Sequence, residues 1–286
     1  MEAKAVDPIE FREGQRQQWE GAASGWRKWS DLIDEGAGHV SERLVELAGV
    51  EPGSRVLDVA AGYGEPSLSA ARKTGPEGSV AATDISAEML AYGRERAAAA
   101  GLENIEFIEA DASALDFPED SFDAAVSRWG IIFEPDGEAA AARVRGFLKP
   151  GARMAISSWG PPERVPFLAI PMRTAMEHLK VPPPPPGTPG PLSRPTPEAI
   201  SGLLEGGGFS NVQVEEAEVV MHEWESPEEF TTFIKEIAPP ISSMIAPHPE
   251  DVQRETWDAI TEATRAAAGD GPVTFSSLAL LAVGSA

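Results

Sequence analysis

The segment VLDVAAGYG, residues 56–64, constrains the fold of this chain more than any other segment. It joins a short apolar run and an acidic residue to a set of small residues, which is typical of a buried strand that turns tightly into a helix. Glycine at Gly62 and Gly64 lets the backbone adopt dihedrals that a side chain would forbid and approach a ligand closely. The helix that follows presents free backbone N–H groups. The segment therefore predicts a nucleotide-cofactor loop and leaves the cofactor open.

The residues around this loop favour one of two classes of cofactor over the other. A dinucleotide pattern read from Gly62 needs a small residue where Ser67 stands, and Pro66 interrupts the approach. Asp58 would repel a pyrophosphate, whereas its carboxylate suits a ligand that carries a positive charge, such as S-adenosylmethionine. NAD is disfavoured by these residues and is not excluded.

Two further acidic residues follow predicted strands. Asp84 ends the segment GSVAATD about twenty residues after the loop, where an acid can bind both ribose hydroxyls. Ile85 and Met89 come next and are placed to cover an adenine ring. Asp111 follows the alternating segment NIEFIEADA and can accept a hydrogen bond from the adenine amino group. Because ligands of open α/β sheets bind at the carboxyl ends of the strands, we expect these acids and Asp58 to meet in one crevice.

The ordered segments VLDVAAGYG, TDIS, EADASALDFPEDSFDAAVS and FLKPGARMAIS resemble class I SAM-dependent methyltransferases, in particular the UbiE-like, or type 11, small-molecule enzymes. The resemblance covers residues 52–158. The family usually has glycine where this chain has Ala60, a small departure that retains access to the backbone. The cofactor contacts implied by the resemblance are Asp58, Gly62, Asp84, Asp111 and Ala112, and the residues implied to face the methyl-transfer site are Ser127 and Arg128. When the residues inferred from the local sequence are added, the predicted cofactor-binding residues are Trp29, Asp58, Ala60, Gly62, Gly64, Asp84, Ile85, Met89, Asp111, Ala112 and Ser127.

Composition narrows the partners and the location. A net charge of −23 over 286 residues argues against nucleic acid and against stable association with an anionic membrane. The chain has no cysteine, which excludes disulfides and thiolate chemistry. Charged residues interrupt its apolar stretches and no positively charged, apolar leader is seen, so we expect a cytoplasmic protein. Its state is predicted to be a monomer or a homodimer.

The expected fold class is α/β, with a Rossmann-like, seven-stranded, mostly parallel sheet whose last strand is antiparallel. Helical periodicity predicts N-terminal helices within residues 10–49. The chain divides into an N-terminal helical cap, a SAM-binding core, and a C-terminal part of the same domain, at residues 1–50, 51–160 and 161–286. The strands are expected near residues 54–59, 79–84, 105–109, 122–127, 152–158, 211–221 and 274–283.

Two segments depart from the alternation of strands and helices. Residues 181–191, VPPPPPGTPGP, cannot form a helix or a central strand and predict a stiff polyproline crossover, with an SH3-type ligand as the other interpretation. Residues 226–270 are helical in pattern and predict a lid over the sheet. An apolar wall of this lid would suit a hydrophobic acceptor, and the same side chains would equally serve to pack the lid onto the sheet. They are Met221, Trp224, Ile241, Met244 and Ile245.

Methyl transfer needs little catalysis by side chains, because a sulfonium methyl group is already activated. The catalytic candidates are His222, near the end of the strand that enters the lid, Tyr63 and Arg128. Arg128 suits an anchor for an acidic or phenolate acceptor, or an ion pair with Glu134 or Asp136. A histidine by itself is more often structural. The remaining histidines are His39, His178 and His248.

Tryptophans are the candidates to close a pocket around the methyl group. Trp26 and Trp29 lie three residues apart and share a face of the first helix, and Trp129 follows the fourth strand. An indole beside a sulfonium makes a cation–π contact, whereas its ordinary role is core packing. Trp29 is predicted to contact the cofactor, so Trp29→Ala should weaken cofactor binding.

Three functions fit the sequence. The first is a metal-independent methyltransferase that acts on a small hydrophobic or aromatic acceptor, such as a quinone precursor or secondary metabolite. No metal is expected, because Ser127, Arg128 and Trp129 occupy the corner where metal-dependent relatives hold acidic or amide ligands. The second is an NAD-dependent oxidoreductase. The third is a regulatory protein that binds SAM without turnover.

Overall fold

The computed structural model describes residues 8–185 and 187–286, and a single sheet runs through its centre. The strands are β1 Arg55–Val59, β2 Ser79–Asp84, β3 Ile105–Glu109, β4 Phe122–Arg128, β5 Leu148–Trp159, β6 Ser210–Trp224 and β7 Val273–Ser285. Their order is β3-β2-β1-β4-β5-β7-β6. Strand β7 is antiparallel to both of its neighbours, and the other six run the same way. The predicted seven-stranded, mostly parallel sheet with an antiparallel last strand is confirmed.

Helices cover both faces of the sheet. They are α1 Pro8–Leu47, α2 Ser67–Thr74, α3 Ala87–Ala99, α4 Gly137–Phe147, α5 Pro166–Leu179, α6 Pro197–Gly206, α7 Pro227–Ile237, α8 Pro239–Ile245 and α9 Glu250–Ala268. Neighbouring residues of β1 pack on opposite faces, Val56 in one apolar cluster and Leu57 in the other. The first cluster includes residues of α1, α5 and α7, and the second includes residues of α4 and α6. Burial on both faces explains why the parallel strands read as nearly continuous apolar runs.

The region predicted to hold several N-terminal helices is one continuous helix in its described part. No proline interrupts α1 after its first residue, and two of its glycines allow close packing. A Cβ added to Gly25 would lie 2.2 Å from the carbonyl oxygen of Glu236, and one added to Gly36 would lie 2.2 Å from that of Met221. Helix α1 therefore lies directly against α7 and β6, on the side of the sheet where α5 also packs.

The insertion between β6 and β7 is helical, as predicted, and consists of α7, α8 and α9. The proline-rich crossover joins α5 to α6, and its described residues, 181–185 and 187–191, form no helix or strand. Pro186 lies outside the described residues. None of the helices in the described ranges combines the length and the apolar composition that crossing a membrane requires.

Candidate active site

A cavity opens at the carboxyl ends of β1, β2, β4 and β5. One of its walls is formed by the sheet edge, and we call this the sheet-edge wall. Its residues are Ala60, Ala61, Gly62, Asp84, Ile85, Met89, Ala110, Ala112, Arg128, Trp129, Gly130 and Trp159. The other wall comes from α1, α5 and the turn between α7 and α8, and we call it the helical wall. Its residues are Arg12, Gln15, Trp19, Trp26, Ile33, Phe167, Leu168, Met172, Ile237, Ala238, Pro239, Pro240 and Ile241.

The carboxylate of Asp84 is oriented by the backbone around it. The N–H of Gly62 donates to Oδ2 at 2.8 Å, and the N–H of Ser86 donates to Oδ1 at 2.8 Å. Burial raises the pKa of Asp84, and these backbone donors partly oppose that effect. Each carboxylate oxygen keeps a further lone pair, so Asp84 can still accept hydrogen bonds from a ligand in the cavity.

The first loop adopts left-handed backbone at two cavity residues, Ala60 with φ +58° and Gly62 with φ +53°. Alanine rarely adopts this conformation. Gly130 leaves room for the Ala60 side chain, because a Cβ at Gly130 would lie 2.4 Å from the Cβ of Ala60. The alanine in this loop thus depends on a glycine after β4.

The structure brings six of the predicted cofactor residues to the cavity. They are Ala60, Gly62, Asp84, Ile85, Met89 and Ala112. The other five, Trp29, Asp58, Gly64, Asp111 and Ser127, do not line it, for reasons that differ.

Asp58 is completely buried below the loop and faces α2. The hydroxyl of Ser67 donates to its Oδ2 at 2.5 Å, and its Oδ1 has no hydrogen-bond partner. Burial raises the pKa of Asp58 to about 7. The expectation that its carboxylate faces a cationic ligand is not met, and the acidic residue of this loop that does line the cavity is Glu65.

Ser127 and Gly64 serve the protein's own packing. The hydroxyl of Ser127 donates to the carbonyl of Val59 at 2.8 Å and accepts from the N–H of Ile131 at 3.0 Å. Gly64, with φ +112°, lets the loop approach Gly93 of α3, whose Cα would lie 3.4 Å from an added Cβ. Both residues shape the sheet-edge wall from behind it.

The carboxylate of Asp111 is held beside the cavity by protein partners. Its Oδ1 accepts from the backbone N–H of Ser113 at 2.8 Å, and its Oδ2 lies 3.3 Å from Nε of Arg12. Its neighbours Ala110 and Ala112 line the cavity instead. The predicted contact between Asp111 and an adenine amino group stays a prediction.

The indole that lines the cavity from the paired tryptophans of α1 is Trp26, not Trp29. Trp26 donates to the carbonyl of Ile237 at 3.0 Å, and its ring lies 5.4 Å from that of Tyr63. Trp29 instead packs edge-on against Phe233 at 5.6 Å and donates to Glu236 at 2.5 Å. Three residues rotate the side chain by about 60°, which suffices to turn one indole to the cavity and the other to α7.

Two of the three catalytic candidates, Tyr63 and Arg128, meet at the cavity. Nη2 of Arg128 donates to the phenol oxygen of Tyr63 at 2.8 Å, and that phenol donates to Asp34 at 2.8 Å. Burial, the largest influence, raises the pKa of Tyr63, so the phenol stays protonated at neutral pH. Tyr63 is therefore unsuited to act as a base there, and its hydroxyl holds the guanidinium in position.

His222, the third candidate, does not line the cavity. It lies on β6 beside Met221, which does line the cavity, in a segment where the pairing of β6 with β7 is irregular. Its ring packs edge-on against Trp224 at 5.8 Å. His39, His178 and His248 are also absent from the cavity wall. Of the five residues expected to form the apolar wall of the lid, Met221 and Ile241 do so.

Sequence reasoning missed the role of Glu134, which follows the fourth strand and lines the cavity. Burial raises its pKa to about 7, the nearby Asp111 carboxylate adds to the shift, and Arg12 opposes it. Its Oε2 is buried without a hydrogen-bond partner. Nothing in the local sequence distinguishes this glutamate from a surface residue, because its burial is produced by α1.

Groups of three or more histidine and acidic side chains that could hold a metal ion do not occur in the ranges 8–185 and 187–286. Metal independence stays a prediction.

Comparisons with known proteins agree with this geometry. A family model described as a methyltransferase domain matches residues 56–151. An uncharacterized protein of Mycobacterium tuberculosis is 46% identical over 41% of this chain and 41% of its own length. The ubiquinone/menaquinone biosynthesis C-methyltransferase UbiE of Teredinibacter turnerae is 38% identical over 42% of this chain and 48% of its own. The UbiE protein of Pseudomonas putida is 37% identical over 46% and 53%. The chain thus spans about half the length of the curated relatives it matches.

Solved structures share the fold. The YcgJ protein of Bacillus subtilis superposes with a TM-score of 0.56 at 20% identity, covering 86% of this chain and 98% of that one. Phosphoethanolamine N-methyltransferase 2 of Haemonchus contortus, in complex with S-adenosylhomocysteine, gives 0.58 at 18% identity, covering 98% and 60%. The sequence match thus agrees with the loop and the sheet edge, and residues 56–151 are similar to a methyltransferase domain.

Proposed function

We propose that this chain transfers a methyl group from S-adenosylmethionine to a small hydrophobic or aromatic acceptor, by in-line displacement and without a metal ion. The observation that carries the proposal is the contrast between the two walls of one cavity. The sheet-edge wall holds the motif residues and the oriented carboxylate of Asp84, whereas the helical wall is mostly apolar, with Arg12 and Gln15 as its polar residues. A polar cofactor and an apolar acceptor would each find a matching surface.

The sheet-edge wall supports the cofactor part of the proposal. Asp84, fixed by two backbone donors, has acceptor capacity for ribose hydroxyls, and Ile85 and Met89 supply apolar surface beside it. The loop backbone at Gly62 borders the cavity, and an added Cβ there would meet nothing within 4 Å. The cofactor supplies an activated sulfonium methyl group, so the protein's task is to hold it.

The helical wall supports the acceptor part. Trp19, Trp26 and Phe167 present aromatic surface to the same space as the motif residues, and an apolar surface of this kind suits an apolar acceptor. The UbiE relatives are named for C-methylation in ubiquinone and menaquinone biosynthesis, which is consistent with an acceptor of low polarity. Alignment of acceptor and methyl group is expected to supply most of the acceleration, and such positioning contributes about 7–11 kcal/mol in favourable cases.

Isothermal titration with S-adenosylhomocysteine tests the cofactor part. We expect the wild-type protein to bind and Asp84→Asn to bind about 10- to 100-fold more weakly, because hydrogen bonds to a charged group contribute about 1.5–3 kcal/mol. Asp123→Asn is the matched control, since Asp123 is the second residue of β4, at the end of the strand away from the cavity, and pairs with Lys149.

Absence of S-adenosylhomocysteine binding by folded protein would overturn the proposal, and binding of NADH in its place would favour an oxidoreductase. Once binding is established, methyl transfer to phenols, quinols and amines is measured with and without EDTA. Activity that EDTA abolishes and magnesium restores would contradict the metal-independent part.

A further inference from the structure

A buried cation, Arg128, borders the cavity and has only neutral hydrogen-bond partners. Its side chain is 7% exposed. Nη1 donates to the hydroxyl of Ser41 at 2.9 Å, and Nη2 donates to the phenol of Tyr63 at 2.8 Å. A guanidinium carries five N–H donors, and the remaining ones have no protein partner in the described ranges.

The carboxylates around Arg128 are engaged elsewhere. No acidic oxygen in residues 11–185 and 187–286 lies within 4.0 Å of its nitrogens. Asp34 pairs with Arg96 and accepts from Tyr63. Glu65 accepts from Ser69 at 2.8 Å and lies 3.5 Å from Arg72.

The two ion pairs considered for Arg128 from the sequence are not formed. Asp136 accepts from the N–H of Ala139 at the start of α4, at 2.9 Å. Glu134 is grouped with Arg12 and Asp111. The charge of Arg128 is therefore left without a counter-ion.

The surrounding residues keep this cation in place and charged. Tyr63 links Arg128 to Asp34. Arg96 pairs with Asp34 and also donates to the carbonyl of Tyr63 at 3.2 Å. Burial disfavours the charged guanidinium, but Tyr63 and the acidic groups of Glu65 and Asp34 outweigh it and raise the pKa of Arg128. Glu65 and Asp34 act on Arg128 without contacting it, so a ligand that places a negative charge against the guanidinium would form the direct ion pair that it lacks.

We propose that Arg128 is the receptor for a carboxylate group of a molecule bound in the cavity. The inference rests on the proposed function and specifies the ligand chemistry of the same site. The guanidinium is planar and suits two-point recognition of a carboxylate. Two sources supply this group: the amino-acid end of the cofactor, whose binding loop holds Tyr63, or an acidic acceptor lying against the apolar helical wall.

Titration with matched ligand pairs tests the proposal and separates the sources. The first pair is S-adenosylhomocysteine and its decarboxylated analogue. The second is 2-naphthoate and 2-naphthamide, titrated in the presence of saturating S-adenosylhomocysteine. Each pair is measured with wild type, Arg128→Gln, Arg128→Lys and the control Arg164→Gln, which removes an exposed arginine paired with Glu216.

We expect Arg128→Gln to weaken the carboxylate member of one pair about 10- to 100-fold and its neutral partner less than about twofold. Loss in the first pair assigns the carboxylate to the cofactor, and loss in the second assigns it to the acceptor. Arg128→Lys, which keeps the charge and loses the planar fork, should lose less, and it also serves if Arg128→Gln does not fold. Arg164→Gln should match wild type.

An unchanged ratio of carboxylate to neutral affinity in both pairs, with folded Arg128 variants, would overturn the inference. Failure of the proposed function looks different. In that case wild type binds neither S-adenosylhomocysteine nor its analogue, and the naphthoate pair, titrated alone, still reports on Arg128.

Discussion

The two walls of the cavity are built by different means. The sheet-edge wall is made by short loops that leave neighbouring parallel strands, and its key polar group, Asp84, is held by backbone N–H donors from Gly62 and Ser86. The helical wall is made by side chains from α1, α5 and the α7–α8 turn, which are far apart in sequence. The first wall depends on local backbone geometry, whereas the second depends on how helices dock.

This difference explains how the two walls differ in their tolerance of change. A loop that follows a strand is positioned by the sheet, so the strands set the position of the sheet-edge wall. The helical wall is positioned by close contacts of α1 with α7 and β6, at Gly25 and Gly36. Substitutions at those contacts should therefore move the apolar surface while leaving the motif residues in place.

Gly36→Ala is expected to give the largest effect. The new Cβ would lie 2.2 Å from the Met221 carbonyl oxygen, so α1 must shift away from β6, at a cost of about 1–3 kcal/mol. Gly38→Ala is the matched control on the same helix, because its Cβ meets nothing within 4 Å, and it should stabilise by about 0.5–1 kcal/mol. Denaturant unfolding of both variants measures the difference.

The same pair tests the comparison of the walls. A destabilised but folded Gly36→Ala protein should keep its affinity for S-adenosylhomocysteine better than its affinity for an apolar probe of the cavity. Equal losses of both affinities would show that the sheet-edge wall also depends on the docking of α1.

Glu134→Gln addresses a carboxylate placed where the two walls meet. Because the folded-state pKa of Glu134 is raised from 4.5 to about 7, its protonated form stabilises the fold below about pH 4.5, and that stabilisation is lost as the pH rises to about 7. The variant should match wild type near pH 4.5 and be more stable at pH 8, by on the order of 1–3 kcal/mol. Unfolding free energies across this range are the measurement, with Glu205→Gln on α6 as the exposed control. A constant difference at all pH values would contradict the assignment.

Trp26→Ala and Trp29→Ala should separate the two indoles by a smaller amount. Trp26 lines the cavity and Trp29 packs on Phe233, so only the first substitution removes apolar surface from the site. We expect Trp26→Ala to weaken ligand binding by about 1 kcal/mol, or roughly fivefold, and Trp29→Ala to leave it unchanged. After circular dichroism confirms that both variants fold, titration with S-adenosylhomocysteine measures their affinities. Weaker binding by Trp29→Ala alone would restore the interpretation made from the sequence.

Much of the sheet could be predicted because its signals are local. Apolar runs mark the strands, and glycines and acidic residues mark where the loops begin, so Gly62, Asp84 and Ile85 were found at the cavity. The direction of a side chain near a strand end was harder to predict. Asp58 faces α2, and His222 does not line the cavity although its neighbour Met221 does.

The sequence by itself determined the α/β class, the parallel strands and the helical insertion, because these follow from periodicity and spacing within a few dozen residues. The antiparallel last strand and the methyltransferase motif were predicted from the resemblance to a known family. Only the tertiary structure decided that Arg128 lacks a direct ion pair, that Glu134 is half-buried with its Oε2 enclosed, and that Trp26 rather than Trp29 faces the cavity. Those properties arise where α1 meets β4, α7 and α8, and no local pattern encodes which residues such distant segments bring together.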